Sequence, residues 1–150
     1  MSGEVNLDAM VPPEGFVAAP TRGPFTTHNG PVFVRQQTDA IKPASALPIL
    51  RRHCNGLGFM HGGMIAAFAD SSLAHAIIQQ TGRACVTLNM SIEYFDAIHV
   101  GSWLIGEPEI LSVENEIAHV EVKLMVENRL KARATGVFRL RRLRTNKKRG

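Results

Sequence analysis

Residues 55–82 read NGLGFMHGGMIAAFADSSLAHAIIQQTG, and this stretch decides the predicted fold. Its first nine residues include four glycines, which predicts a loop rather than regular structure. Met64 to Gln80 follows without a proline or a glycine, which favours one long helix, and Gly82 is placed to end it. Because this segment is apolar on almost every side, we expect the helix to be buried.

The second half of the chain alternates between apolar and polar residues, as β-strands do. The predicted strands cover residues 86–94, 103–113, 118–126 and 130–140, with an interruption near Pro108 and a tight turn at 128–129. In the first, third and fourth strands the even-numbered residues are mostly apolar, so they are expected to share a face. One long helix followed by an antiparallel meander predicts an α+β fold in which the sheet wraps around the helix.

The remaining segments set the expected domain limits. Residues 1–30 are rich in proline and glycine, which predicts an irregular arm, and residues 31–37 favour a further strand. We therefore expect one α+β domain over residues 31–142, followed by a basic, flexible tail over residues 143–150.

Composition narrows the class of protein. A chain of 150 residues with 45% hydrophobic and 20% charged residues fits one globular domain. No apolar run approaches the ~18 residues of a membrane span, and the first residues lack the pattern of a secretory signal. The two cysteines form no disulfide framework, so a cytoplasmic protein with reduced thiols is expected.

The positive charge is concentrated at the end of the chain. Seven of the 17 basic residues lie in the last twelve positions, and the rest of the chain is net acidic. A nucleic-acid partner is not favoured, because Phe138 is the one aromatic residue nearby for base stacking. Contact with a phosphorylated ligand through the arginines of the last strand fits the pattern better.

Asp70 is the most informative single residue of the predicted helix. Its neighbours three and four positions away are all apolar, whereas Ser72, His75 and Gln79 form a polar stripe on the opposite side. A carboxylate in such surroundings needs a hydrogen-bond partner, an interface or a cleft. Both a catalytic and a structural role are compatible with this position.

The start of the helix offers a second chemical group. A helix N-terminus carries unpaired N–H groups and a partial positive charge, and Gly62 and Gly63 would let a ligand approach them closely. These N–H groups can bind an anion or polarise a carbonyl. Asp70 lies eight residues after Gly62, roughly 12 Å along a helix, which is too far to act on the same bond. A second subunit would have to supply the other half of such a site, so the spacing suggests a dimer.

Other cofactor and metal motifs are missing from the sequence. The glycine loop lacks the preceding strand and following acid of a dinucleotide site, and it lacks the Gly-Lys-Ser/Thr ending of a phosphate-binding loop. There is no Gly-x-Ser-x-Gly elbow, and the six histidines show no metal-ligand spacing. We therefore expect neither a metal ion nor a cofactor.

Asn55, the run His61-Gly62-Gly63 and Asp70 nine residues after the histidine resemble the hotdog-fold acyl-CoA thioesterases of the phenylacetate-pathway type. The resemblance covers roughly residues 45–140. It implies a long helix wrapped by an antiparallel sheet of five to six strands. It also implies homodimers with active sites at the subunit interface, which often join into homotetramers.

The same resemblance implies roles for individual residues. Asp70 matches the general base or nucleophile, and Gly62 matches the residue whose N–H polarises the thioester carbonyl. Asn55 matches the residue that positions water or the thioester, and His61 is expected to support the loop. Thr87 aligns, after a one-residue gap, with a Ser or Thr that helps to hold water.

Substrate-binding roles are expected for Gly63 and for Arg139 and Arg141, which would meet the phosphates of coenzyme A. Coenzyme A is part of the substrate, so no separate cofactor is implied. The sequence departs from the family after Tyr94, where Phe95 and the following residues replace a frequent proline. The leading hypothesis is hydrolysis of an acyl-CoA thioester, and the alternative is a non-catalytic hotdog protein that binds acyl-CoA or another acyl ligand.

Overall fold

Two helices and seven strands form the part of the chain that the structure describes, residues 10–20 and 23–142 of a computed structural model. The helices are α1 (Pro24–Asn29) and α2 (Gly62–Thr81). The strands are β1 (Val17–Ala18), β2 (Phe33–Arg35), β3 (Ala44–Pro48), β4 (Cys85–Tyr94), β5 (Trp103–Glu114), β6 (Ile117–Val126) and β7 (Arg129–Leu140). A short 3-10 helix (Arg51–His53) lies between β3 and α2.

The described strands make one antiparallel sheet in the order β1-β2-β3-β5-β6-β7-β4, and α2 packs against β3 to β7. This arrangement confirms the α+β fold with a long helix wrapped by a sheet. The sheet has seven strands rather than five to six, because β1 adds a two-residue edge strand. Both β1 and α1 lie within the segment expected to be irregular, and the predicted tail at 143–150 lies outside the described residues.

The ends of α2 follow from local chemistry. His61 precedes the helix and its Nδ1 accepts a hydrogen bond from the Gly63 N–H at 2.9 Å. Gly82 ends the helix in the left-handed conformation, with φ of 68°, as predicted. The helix starts two residues before Met64, because the His61 cap brings both glycines into its first turn. No helix in the described ranges is long and apolar enough to cross a membrane.

The buried side of α2 includes polar residues. Ser72 and His75 are buried against the sheet, whereas Asp70 is partly exposed. Ser72 fits because β5 carries Gly106 at the contact point, where an added Cβ would lie 2.8 Å from the Ser72 Oγ. Two of the three residues of the predicted polar stripe, Ser72 and His75, therefore face the core, whereas the third, Gln79, is exposed. Asp70 is partly exposed within a single chain.

The predicted four-strand meander is correct only for β5, β6 and β7. Strand β4 pairs with β7 rather than with β5, so the chain crosses from one edge of the sheet to its middle between residues 94 and 103. Alternation of apolar and polar residues shows that a segment is a strand, but it does not identify the strand's partner.

Two sequence details differ from expectation for physical reasons. The β6–β7 turn lies at Glu127 and Asn128, both with positive φ, rather than at 128–129, because Val126 pairs with Arg129. Pro108 does not interrupt β5, because β3 pairs with β5 only as far as Gly106 and leaves the edge beside the proline free.

A bulge in β4 changes which residues face the helix. Thr87 opposes Phe138 and Asn89 opposes Val137, so Leu88 is an extra residue in the ladder. Because Phe138 is buried against α2, Thr87 lies on the helix side, and beyond the bulge the even-numbered residues do. Val86 and Leu88 are 55% and 53% exposed, so the single face predicted for all even-numbered residues of this strand is wrong.

We expect Gly136→Ala to lower the free energy of unfolding by about 1–3 kcal/mol, through overpacking. A Cβ at this position would lie 2.6 Å from the buried Phe138 ring and 3.1 Å from Leu73. Urea unfolding would measure the change. Gly56→Ala is the matched control, because nothing lies within 4 Å of its Cβ position. Equal stability of the two variants would contradict the packing described here.

Candidate active site

Asp70 and Thr87 form a direct pair between the middle of α2 and β4. The Thr87 hydroxyl donates a hydrogen bond of 2.6 Å to Asp70 Oδ1. The β4 bulge makes this contact possible, because it directs Thr87 to the helix side. Asp70 is partly exposed, and none of the described residues donates a hydrogen bond to its second carboxylate oxygen.

The negative charge of Asp70 affects the pKa of the Cys85 thiol. Burial raises the pKa of Cys85, the first residue of β4, and the negative charge of Asp70 raises that pKa further. Burial alone raises the pKa of the other thiol, Cys54. Both cysteines are free and neither environment stabilises a thiolate, so neither is suited to act as a nucleophile.

The N-terminus of α2 carries the second part of the predicted site. The Gly62 N–H donates to none of the described residues, whereas the Gly63 N–H is used by the His61 cap. The Gly62 carbonyl accepts a hydrogen bond of 2.8 Å from the Tyr94 hydroxyl. One free N–H at a positive helix end can therefore polarise a carbonyl, while a ligand would have to compete with His61 for the Gly63 N–H.

Asn55 organises the loop that leads into this helix end. Its Oδ1 accepts hydrogen bonds from the N–H groups of Leu57 at 3.0 Å and Phe59 at 3.2 Å. Its own N–H donates to the Phe59 carbonyl at 2.7 Å. The side-chain oxygen is thus committed to the loop, and the amide Nδ2 is the group left to contact a water or a thioester.

The structure brings the predicted residues together in separate groups. The first group is Asp70 with Thr87. The second lies at and before the start of α2, about two helical turns away, and consists of Asn55, His61, Gly62 and Gly63. The eight-residue spacing between Gly62 and Asp70 corresponds to about 12 Å along α2. Within one chain, the Gly62 N–H and the Asp70 carboxylate are therefore too far apart to act on the same thioester bond.

The two predicted arginines lie away from both groups within one chain. Arg139 opposes Val86 and points to the sheet face opposite α2, because its neighbours Phe138 and Leu140 are buried on the helix side. Arg141 lies beside the C-terminal end of α2, where its N–H donates to the Ala84 carbonyl and its own carbonyl accepts from Arg83.

Two residues close to the predicted site were missed from the sequence. Tyr94 was assigned only to the end of a strand, and His53 was not singled out. Both contact the site through residues distant in sequence, so no local pattern marks them. Among the described residues, no group of three or more His, Cys, Asp or Glu side chains is placed to hold a metal ion.

Residues 57–132, from the glycine loop to the first part of β7, match the family model of the thioesterase superfamily. The chain belongs to the thioesterase superfamily. Over 130 residues this thioesterase-superfamily protein is 31% identical to PA0474 of Pseudomonas aeruginosa, which carries a provisional esterase name. That similarity covers 85% of this chain and 96% of the relative.

Solved structures of the superfamily resemble the chain over most of its length. The TT0310 protein of Thermus thermophilus is 28% identical, with a TM-score of 0.69 over 80% of this chain and 100% of that one. A mutant of the phenylacetic acid degradation protein PaaI from the same organism is 27% identical, with a TM-score of 0.69 over 79% and 100%. Zebra fish thioesterase superfamily member 2 is 25% identical, with a TM-score of 0.67 over 73% and 81%.

These similarities confirm the hotdog-thioesterase resemblance and the fold it implied. Membership of the superfamily supports a hydrolase that cleaves thioesters in general. The superfamily match includes Gly62, Asp70 and Thr87, and it begins just after Asn55.

We expect Asp70→Asn to lower the pKa of Cys85 and to leave that of Cys54 unchanged. Removing the negative charge makes the Cys85 thiolate less unfavourable, so alkylation by iodoacetamide should become faster at a given pH below the thiol pKa. Mass spectrometry of both cysteines across a pH series would measure this shift. Cys54 is an internal control for general opening of the fold. If only Cys54 responded, the placement of Asp70 beside Cys85 would be wrong.

Proposed function

We propose that this protein hydrolyses an acyl-CoA thioester to the free acid and coenzyme A. The observation that carries the proposal is the 2.6 Å hydrogen bond from Thr87 to Asp70, at the partly exposed side of the central helix of a thioesterase-superfamily fold. Thr87 holds one carboxylate oxygen and leaves the other for the reaction.

The proposed reaction divides the work between the carboxylate and the helix end. Asp70 removes a proton from water while the water oxygen bonds to the thioester carbon, or its carboxylate attacks that carbon and water cleaves the resulting anhydride. The Gly62 N–H donates to the carbonyl oxygen, which becomes negatively charged, and one such donor contributes roughly 3 to 4 kcal/mol. When water attacks directly, the C–S bond breaks after that attack, and the coenzyme A thiolate takes up the proton that Asp70 removed from the water. When Asp70 attacks, the C–S bond breaks as the anhydride forms, and the thiolate takes up a proton released when water cleaves the anhydride. Water is the only co-substrate.

A second copy of the chain would complete each site. Gly62 and Asp70 are too far apart on α2 to share a carbonyl, so we propose that one chain supplies the carboxylate and its partner the N–H. Strand β4 is at the sheet edge among the described strands, and its exposed Val86 and Leu88 side chains support this edge as the contact. A homodimer would then carry two sites, and two dimers could join into a tetramer.

Arg139 and Arg141 are proposed to contact the coenzyme A phosphates, and both side chains are exposed. They lie away from Asp70 within one chain, so this role also depends on the partner. The similarity to a phenylacetic acid degradation protein supports arylacetyl-CoA as the first acyl group to test, followed by aliphatic chains of increasing length.

We expect Asp70→Asn to lower kcat by about 100-fold or more, because it removes a positioned acid–base group. Release of the coenzyme A thiol from a panel of acyl-CoAs, followed with a chromogenic disulfide, would measure it. Asp39→Asn is the matched control, because it makes the same change at an exposed carboxylate distant from Asp70 in the sequence. Full activity of Asp70→Asn would overturn the assignment. Tight acyl-CoA binding by an inactive wild type would favour the alternative, a non-catalytic acyl-ligand protein.

We expect a heterodimer of Asp70→Asn and Gly62→Pro chains to recover one active site of two, about half of the wild-type activity. Proline is tolerated at the first helical position and removes only the N–H, and the extended conformation of His61 (φ −62°, ψ 134°) suits a following proline. Two affinity tags would isolate the mixed dimer. Each variant alone is the control, and an inactive mixed dimer would mean that both groups act within one chain.

A further inference from the structure

His53 is the last residue of the 3-10 helix and is 1% exposed. Both ring nitrogens have partners. Nδ1 accepts a hydrogen bond of 3.1 Å from the Leu50 N–H, so the ring proton resides on Nε2, which donates to the Asn29 carbonyl at 2.7 Å. Burial lowers the pKa of His53, which keeps this neutral form. Each nitrogen of the ring therefore has a fixed role.

The backbone of His53 contacts the start of α2. Its carbonyl accepts the His61 N–H at 2.9 Å, and His61 in turn caps the helix through the Gly63 N–H. Between these residues the loop closes on itself, because Cys54 pairs with Met60 and the Asn55 N–H donates to Phe59. The His53 carbonyl therefore holds the residue that caps α2, at the point where the loop enters the helix.

The ring also connects this loop to the N-terminal arm. Asn29, whose carbonyl it holds, is the last residue of α1, and the neighbouring Arg52 side chain donates to the Gly30 carbonyl. Helix α1 lies across a narrow, almost wholly apolar crevice from α2, lined on the α1 side by Phe25 and on the α2 side by Met64. The arm and the segment before the glycine loop are thus joined by the buried His53 ring and by the Arg52 side chain.

We propose that His53 is a positioning residue for thioester hydrolysis: its ring holds the arm and the glycine loop together, and thereby fixes the Gly62 N–H and Asn55. The inference rests on the proposed function, and His53 itself does not touch the reacting atoms. A shift of the Gly62 N–H by a fraction of an ångström weakens its hydrogen bond to the carbonyl oxygen in the transition state. Loss of the ring should therefore act on kcat more than on KM.

Two variants separate the two hydrogen bonds of the ring. In His53→Asn, the side-chain oxygen takes the place of Nδ1 and keeps an acceptor for the Leu50 N–H. In His53→Gln, the longer amide takes the place of Nε2, so it keeps a donor for Asn29 and leaves the buried Leu50 N–H without its partner. The exposed His119 supplies the matched control, His119→Gln.

We expect His53→Asn to lower kcat for the best acyl-CoA substrate by roughly 10-fold with little change in KM, because the glycine loop loses its bond to the Asn29 carbonyl of the arm. His53→Gln should keep kcat within about threefold of the wild type, since it retains the bond to Asn29. A purely structural role predicts instead that the two kcat values follow the two free energies of unfolding, which would place His53→Gln lower because its buried Leu50 N–H is unpaired. That outcome, or wild-type kcat in His53→Asn, would overturn the proposal.

Amide hydrogen exchange gives a readout that does not need turnover. In His53→Asn the His61 and Gly63 amides should exchange faster, whereas the Gly82 amide at the other end of α2 should keep its wild-type rate. If no acyl-CoA is hydrolysed by the wild type, the proposed function fails and exchange alone decides whether His53 positions the loop. Unchanged exchange at His61 and Gly63 would contradict that role.

Discussion

The burial of α2 by the sheet is the constraint on which the rest of the structure depends. A 20-residue helix that is apolar on nearly all sides must be covered, and five strands contact it. Close packing extends to polar groups, since Ser72 is accommodated only because β5 carries Gly106 opposite it. The side of the helix that the sheet leaves partly exposed includes Asp70.

The site uses the few places where regular structure is broken. A bulge in β4 turns Thr87 towards the helix, and the helix start at Gly62 leaves one N–H unused. Neither feature contributes much to stability by itself, because a bulge gives up a ladder position and an unpaired N–H lacks a hydrogen bond. The regular elements around them hold these irregular groups in fixed positions.

Sequence patterns predicted the features that depend on neighbouring residues. The long helix with Gly82 at its end and the inward residues of β6 and β7 follow from local periodicity and are confirmed. The predicted partner of β4 was wrong and the bulge at Leu88 was missed, because both features depend on contacts with β7 some 50 residues later. For the site, the family resemblance aligned Thr87 with a water-holding Ser or Thr through a one-residue gap, and the bulge adds one residue beside that position. The contact between Thr87 and Asp70 was found only in the structure. The roles of these residues in catalysis stay predictions.

The exposed edge of β4 also matters for the solubility of a single copy of the chain. An edge strand of ten residues offers a row of unpaired backbone groups, and Val86 and Leu88 add apolar surface to it. The bulge and the Glu93–Arg133 ion pair, at 2.9 Å, give this edge limited protection. A single copy with this edge uncovered is therefore open to irregular strand addition and aggregation, most of all at the high local concentrations of protein synthesis.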